Sequence, residues 1–257
     1  MVQILITIPT FNFKNEFMQL KKLLSYIDKK QSYKFPFIFL FICYWVNTYY
    51  DLGHVIIKIL QFEDSFFEWT TVIFLLFASI FLLKNFLNFK KNKLSKINNY
   101  FLLTLSIFFL LWALEEISWG ARIFNFNWEF ISKNNWQNEI NFHNLNIIQP
   151  SLHKLYILFC SFVSFLCLIK KSNSNIFFPE KKLLYFFLLP GLYYFIGELI
   201  INFPISFERG YYTHTVLRYN VFGFQEINEV LLGLGAFLYS LDLSKKIKKL
   251  NEYGKSN

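Results

Sequence analysis

The sequence predicts an all-α fold: a polytopic membrane helical bundle of about six transmembrane helices, N-in and C-in, with an extracytoplasmic interfacial segment. Three observations predict it. Of 257 residues, 54% are hydrophobic and 22% aromatic, and apolar runs near bilayer-spanning length recur along the chain. Lysines cluster in alternate connections, as cytoplasmic anchors do. On that reading all three arginines, all four histidines and twelve of the seventeen acidic residues fall on the opposite side. The ten-residue alternation of an outer-membrane barrel is absent.

The elements follow in order. Residues 1–34 read as a cytoplasmic amphipathic segment, because Leu20, Leu23, Leu24 and Ile27 share a helical face with Lys21, Lys22, Lys29 and Lys30 off it. The opening Ile4-Leu5-Ile6-Thr7-Ile8-Pro9-Thr10-Phe11-Asn12 resembles the first strand of family-2 glycosyltransferases. No Asp-x-Asp metal motif or nucleotide-sugar domain follows, so a chance match or a fusion remnant is preferred to transferase activity. The transmembrane domain, 35–244, is read with spans near 36–57, 69–86, 99–116, 152–169, 183–201 and 226–243. Lys84, Lys90, Lys91, Lys93 and Lys96 mark the second-to-third connection as cytoplasmic, and Lys170, Lys171, Lys181 and Lys182 mark the fourth-to-fifth. Residues 245–257 form a basic cytoplasmic tail with Lys245, Lys246, Lys248 and Lys249. Trp69, Trp112, Trp119, Trp128 and Trp136 belong near the outer interface. No cleavable signal peptide is expected, since the first long apolar run begins near Pro36.

The net charge of +9 comes from lysines beside apolar spans, which points to anionic lipid headgroups as partners and not to nucleic acid. Cys43, Cys160 and Cys167 lie within apolar spans and no CxxC occurs, so no structural disulfide is expected.

The sharpest motif is Glu115-Glu116-Ile117-Ser118-Trp119-Gly120-Ala121-Arg122, at the outer end of the third span. On a continuous helix Glu115, Ser118, Trp119 and Arg122 form one stripe, and Glu116 points about 100° away. Two adjacent carboxylates near lipid are costly unless paired, protonated or bound to a cation. The bland alternative is a helix end in water, with Arg122 as salt-bridge partner. The long connection at 123–150 carries Trp128, Glu129, Trp136, Glu139, Asn141, His143 and Asn144, and connections of that length are often functional. A helix over 136–144 would place Glu139 and His143 on one face; a solvated loop is the alternative. The segment from Glu115 to Asn144, with Glu-Glu-Ile-Ser-Trp-Gly-x-Arg and then Asn-x-His-Asn, resembles a group of uncharacterised bacterial multi-pass membrane proteins. That resemblance implies the bacterial cytoplasmic membrane and marks this segment as the centre of function. It supplies no activity.

Further polar residues lie at the same depth. Asp51 and His54 end the first span, and Glu198 ends the fifth after the helix-perturbing Pro190-Gly191. Glu226 and Glu229 open the sixth span, where acids also complement the helix dipole. Between these last two spans run Glu208, Arg209, Tyr211, Tyr212, His214 and Arg218. We therefore expect Glu115, Glu116, His143, Glu198 and Glu226, with His54 a further candidate, to converge on one outward-opening cavity as catalytic groups. Arg122, Trp119, Asn144, Arg209 and Arg218 are the expected substrate contacts, arginine being suited to phosphate or carboxylate headgroups. Such a set can bind a divalent metal and activate water, or act as metal-free acid and base. No HExxH, HxxxH or Glu-x-x-His pair selects the metal, and no other cofactor is indicated. Three functions fit: an enzyme acting on a lipid or lipid-linked substrate at the outer leaflet, a non-catalytic subunit or assembly factor, and a small-solute transporter.

Overall fold

The computed structural model describes residues 33–49, 66–88, 94–135, 140–169, 176–202 and 225–253. Among them the regular elements are all helical, and one isolated antiparallel bridge joins Asn135 to Leu145. In chain order the helices are α1 (Phe35–Tyr49), α2 (Phe66–Leu87), α3 (Lys96–Glu116), α4 (Ala121–Phe124), α5 (Glu129–Lys133), α6 (Gln149–Leu168), α7 (Leu184–Asn202) and α8 (Gln225–Tyr253). Short 3-10 turns at Ser118–Gly120 and Lys181–Leu183 precede α4 and α7. Within α2, α3, α6 and α8 lie stretches long and apolar enough to cross a membrane.

The bundle is built around α8. Helices α2 and α7 pack on it, α3 packs on α2, and α6 packs on α7. Small residues permit these approaches, as they do between helices in lipid. A β-carbon added at Gly233 would stand 3.3 Å from the Thr71 carbonyl oxygen, and one at Gly191 only 2.7 Å from Cys160 Cβ. Helix α7 runs through Pro190 without a break. Gly191 is a close-packing position against α6.

The distribution of polarity suits a hydrocarbon solvent. Phe41, Ile80, Leu158, Phe162 and Phe165 are each more than half exposed, while Glu116, Asn228, Glu229, Ser240 and Asp242 are buried. Large apolar surfaces of that kind mark a binding or membrane face, and buried ionisable groups in spanning helices turn toward the bundle interior. Between the two polar ends lies an apolar layer of Val72, Leu75, Leu82, Leu102, Phe109 and Leu231. A hydrogen bond of 3.1 Å between Ser79 and Ser106 crosses it.

One boundary lies outside the described residues and another differs from expectation. Helix α1 is described as far as Tyr49, so the rest of the span read at 36–57 lies outside the described residues. Helix α8 continues to Tyr253, through residues read as a basic tail. Residues 176–182 dock along this end of the helix, and Lys246 ties the start of the extension to them. Tyr239 Oη donates to the Phe177 carbonyl at 2.8 Å, Lys246 Nζ to the Phe178 carbonyl at 3.1 Å, and Lys182 pairs with buried Asp242 at 3.0 Å.

Candidate functional site: two neighbouring carboxylates and their partners

Helix α3 stops at Glu116 because the chain then turns left-handed. Ser118, Trp119 and Gly120 have φ of 48°, 57° and 78°. Left-handed geometry is natural for glycine and costs a side-chain-bearing residue roughly 1–2 kcal/mol, so Ser118 and Trp119 are held there by what surrounds them. Trp119 Nε1 donates to Glu115 Oε1 at 2.5 Å, and its ring meets Phe142 edge-on at 5.7 Å. The continuous-helix stripe of Glu115, Ser118, Trp119 and Arg122 is thus corrected. The left-handed turn breaks the stripe, while the Glu115–Trp119 contact is kept.

Glu115 is consumed by the loop. Its Oε2 accepts from the backbone N–H groups of Phe142 (2.8 Å) and His143 (3.0 Å), and lies 3.1 Å from His143 Nδ1. Successive N–H groups converging on one anion form a nest. Asn135 Nδ2 fastens the same loop by donating to both the carbonyl (2.8 Å) and the side-chain oxygen (2.7 Å) of Asn141, and Asn144 is buried beside them. Residues 140–144 adopt turns, so the helix considered for 136–144 does not extend through them.

Glu116 faces into the bundle. Trp112 Nε1 donates to it at 2.9 Å. Two acids of α8 complete a cluster, with one oxygen each from Glu116, Glu226 and Glu229 lying within 4.8 Å of one another. Glu229 Oε1 accepts from Tyr194 Oη at 3.1 Å and from Gln225 Nε2 at 3.0 Å. A fourth acid, Glu68 of α2, is also buried. Each ionised pair at such a separation repels by roughly 3–4 kcal/mol at an effective dielectric near 20. Shared protons or a bound cation would offset that repulsion. Three carboxylate oxygens at this spacing are compatible with the oxygen shell of a divalent cation. Among the described residues no histidine or cysteine completes this group.

Glu198 is placed differently again. It pairs with His153, Nδ1 to Oε1 at 3.0 Å. The His153 ring lies 5.4 Å from that of Tyr194, and Tyr194 stacks on Tyr156 at 4.6 Å. Tyr156 in turn neighbours Trp112 at 6.1 Å. An aromatic layer thus lies between the Glu198–His153 pair and the carboxylate cluster.

The expected set is therefore brought together in three groups: Glu115 with His143, Glu116 with Glu226, and Glu198 with His153. Glu229, His153, Tyr194 and Trp112 were not among the expected site residues. The i, i+3 spacing of Glu226 and Glu229 was the available signal for Glu229, whereas nothing local ties His153 to Glu198. Of Arg122 only the backbone is described, in α4. His54, Arg209 and Arg218, with Asp51, Glu139, Glu208 and His214, lie outside the described residues.

Among the described residues, the fold and site are those of a helical protein with helices long and apolar enough to cross a membrane and a largely buried carboxylate cluster. Comparison with protein-family models, curated proteins and solved structures gave no match.

Proposed function

We propose that this protein is a membrane-embedded enzyme acting on a lipid or lipid-linked substrate at the outer leaflet of the bacterial cytoplasmic membrane. The observation that carries the reading is the Glu116–Glu226–Glu229 cluster, three carboxyl groups within 4.8 Å of one another at one end of the bundle. Ionisable groups are retained at such depth at a cost, which function repays. Carboxyl groups that share protons can both give and take one, as acid–base catalysis requires. A divalent cation held by the same oxygens would instead polarise a phosphate or activate water. Arg122, Arg209 and Arg218 are the proposed headgroup contacts, and Trp119 and Asn144 are further proposed substrate contacts. The proposed topology has six spans with both termini in the cytoplasm, which puts the cluster on the outer side.

The other two functions are less well supported. The apolar layer between the ends of the bundle weighs against a continuous transport path. Burial of Glu116 and Glu229 weighs against a flat docking rim.

The test compares membrane lipids from a strain lacking the gene with those from strains carrying the wild type, Glu116→Gln or Glu229→Gln. Glutamine keeps the shape and loses the proton and the charge. Wild type should reverse a lipid change seen in the deletion strain, and each variant, present at normal abundance, should fall short by roughly a hundredfold in rate. An unchanged lipid profile in the deletion strain, or full reversal by both variants, would overturn the proposal.

A further inference from the structure

Among its described residues, the connection between α3 and α6 is inside-out relative to a loop in water. Phe124, Phe130 and Ile147 are 76%, 78% and 89% exposed, and Ile123, Phe126 and Trp128 are exposed with them. Asn135, Asn141 and Asn144 are only 5%, 2% and 8% exposed. Water favours the opposite distribution. The exposed side chains are not strays from a missing interior, because the segment has one: Ala121, Ile131 and Ile140 form a small core with Leu145 packed against it. Polar contacts fasten the segment. Asn135 holds Asn141, Asn146 N donates to the Asn134 carbonyl at 3.0 Å, and Glu115 accepts from the N–H groups of Phe142 and His143. Helix α5 is amphipathic in the same sense. Ile131 and Ser132 are buried, whereas Phe130 and the Glu129–Lys133 pair are exposed. The aromatic side chains are therefore displayed on a folded platform.

We infer that residues 123–130 and Ile147 form an anchor that sits in a phospholipid bilayer at the boundary between headgroups and acyl chains. Three features identify lipid as the occupant. The segment joins two helices long and apolar enough to cross a membrane. Helix α4 begins at Ala121, directly after the turn that ends α3, and α6 begins at Gln149, directly after Ile147 and Ile148, so the segment starts and finishes level with the helix ends. Its flanks carry surface of the same kind: Leu110 and Leu111 near the end of α3, and Leu155 and Leu158 in α6, are exposed. Lipid that covers those helices meets the segment at both of its ends. The side chains themselves suit a membrane boundary, where tryptophan is enriched and amphipathic helices lie in plane with their charged groups in water. The anchor holds the loop gripped by Glu115, and with it the carboxylate end of α3, at the height of the lipid headgroups. It goes beyond the enzymatic reading and does not depend on it.

Bimane attached to Phe130→Cys, and to Phe124→Cys in a second sample, tests the anchor in full-length protein held in bilayer discs of phosphatidylcholine and phosphatidylglycerol. Cys43, Cys160 and Cys167 are buried, and an unsubstituted sample measures any label they take up. Lys133→Cys provides the solvated reference. Lipid carrying a nitroxide near its headgroup should quench the labels at 130 and 124 strongly and the label at 133 weakly. Emission from 130 and 124 should be shifted to the blue of that from 133, and iodide in the water should quench in the reverse order. Iodide quenching at 130 and 124 equal to that at 133 would overturn the inference, by placing these side chains in water. Protection from both quenchers would overturn it too, by placing them under protein, whether a second copy or another part of this chain. No reaction is followed, so a silent Glu116→Gln in the lipid assay would remove the enzymatic reading and leave the anchor standing.

Discussion

Glu115 and Glu116 are neighbours in sequence and opposite in circumstance. The carboxylate of Glu115 is met by Phe142 N, His143 N, His143 Nδ1 and Trp119 Nε1. That of Glu116 is met by Trp112 and by two further acids. One carboxylate is satisfied and fixes a loop; the other is crowded by its own kind. Donors that converge on an anion build structure, and anions that converge on each other call for a ligand or a proton. Residue type alone does not separate the two roles.

The largest expected effect breaks the first half of the comparison. Glu115→Leu removes the acceptor of two backbone N–H groups, a tryptophan N–H and a histidine nitrogen, and should destabilise the protein by about 2–4 kcal/mol, since hydrogen bonds to a charged group contribute about 1.5–3 kcal/mol each and water partly replaces those at this half-buried site. Chemical denaturation in detergent, with proteolysis reporting release of residues 140–148, measures it. Glu116→Gln should lose roughly a hundredfold in lipid conversion with no loss of stability, because it removes a repelling charge and keeps an acceptor for Trp112. Gly120→Ala should cost about 1–2 kcal/mol, because φ there is 78° and the new β-carbon would stand 3.2 Å from the Phe124 ring. Its measured unfolding free energy tests the left-handed turn that separates the two glutamates. Lys133→Ala should change stability by less than about 0.5 kcal/mol, because its pair with Glu129 is largely exposed on α5. A larger shift would show that the loop fastened by Glu115 depends on its outer rim as well.

The side of the membrane is tested separately. Asn134→Cys should react with a membrane-impermeant thiol reagent in intact cells, while Asn92→Cys and Asn173→Cys should not. Labelling at 92 or 173 from outside would reverse the proposed orientation and move the cluster to the cytoplasmic leaflet.

The helical class was legible because lipid imposes long apolar runs, and α2, α3, α6 and α8 coincide with four of the runs read from sequence. The importance of Glu115 and Glu116 was legible for the same reason, as charge near hydrocarbon is expensive. Their division of labour was not. It depends on the left-handed turn at Ser118–Gly120, and Gly120 is its only local signal in a segment that otherwise reads as helix. Glu198 was recognisable as an acid in need of a partner, from its place near a helix end. That partner, His153, is brought by the packing of α6 on α7, which no sequence periodicity encodes. Glu226 was expected at the site from its depth, whereas Glu229, one turn further along the same face, is drawn into it by the approach of Glu116 from α3.

The most direct test is thermal unfolding of Glu115→Gln and Glu116→Gln side by side in one detergent. Glu115→Gln should lower the melting temperature, having lost the charge that the nest and His143 grip. Glu116→Gln should hold or raise it, having relieved repulsion among three acids. A lower melting temperature for Glu116→Gln than for Glu115→Gln would contradict the division between a structural carboxylate and a functional one.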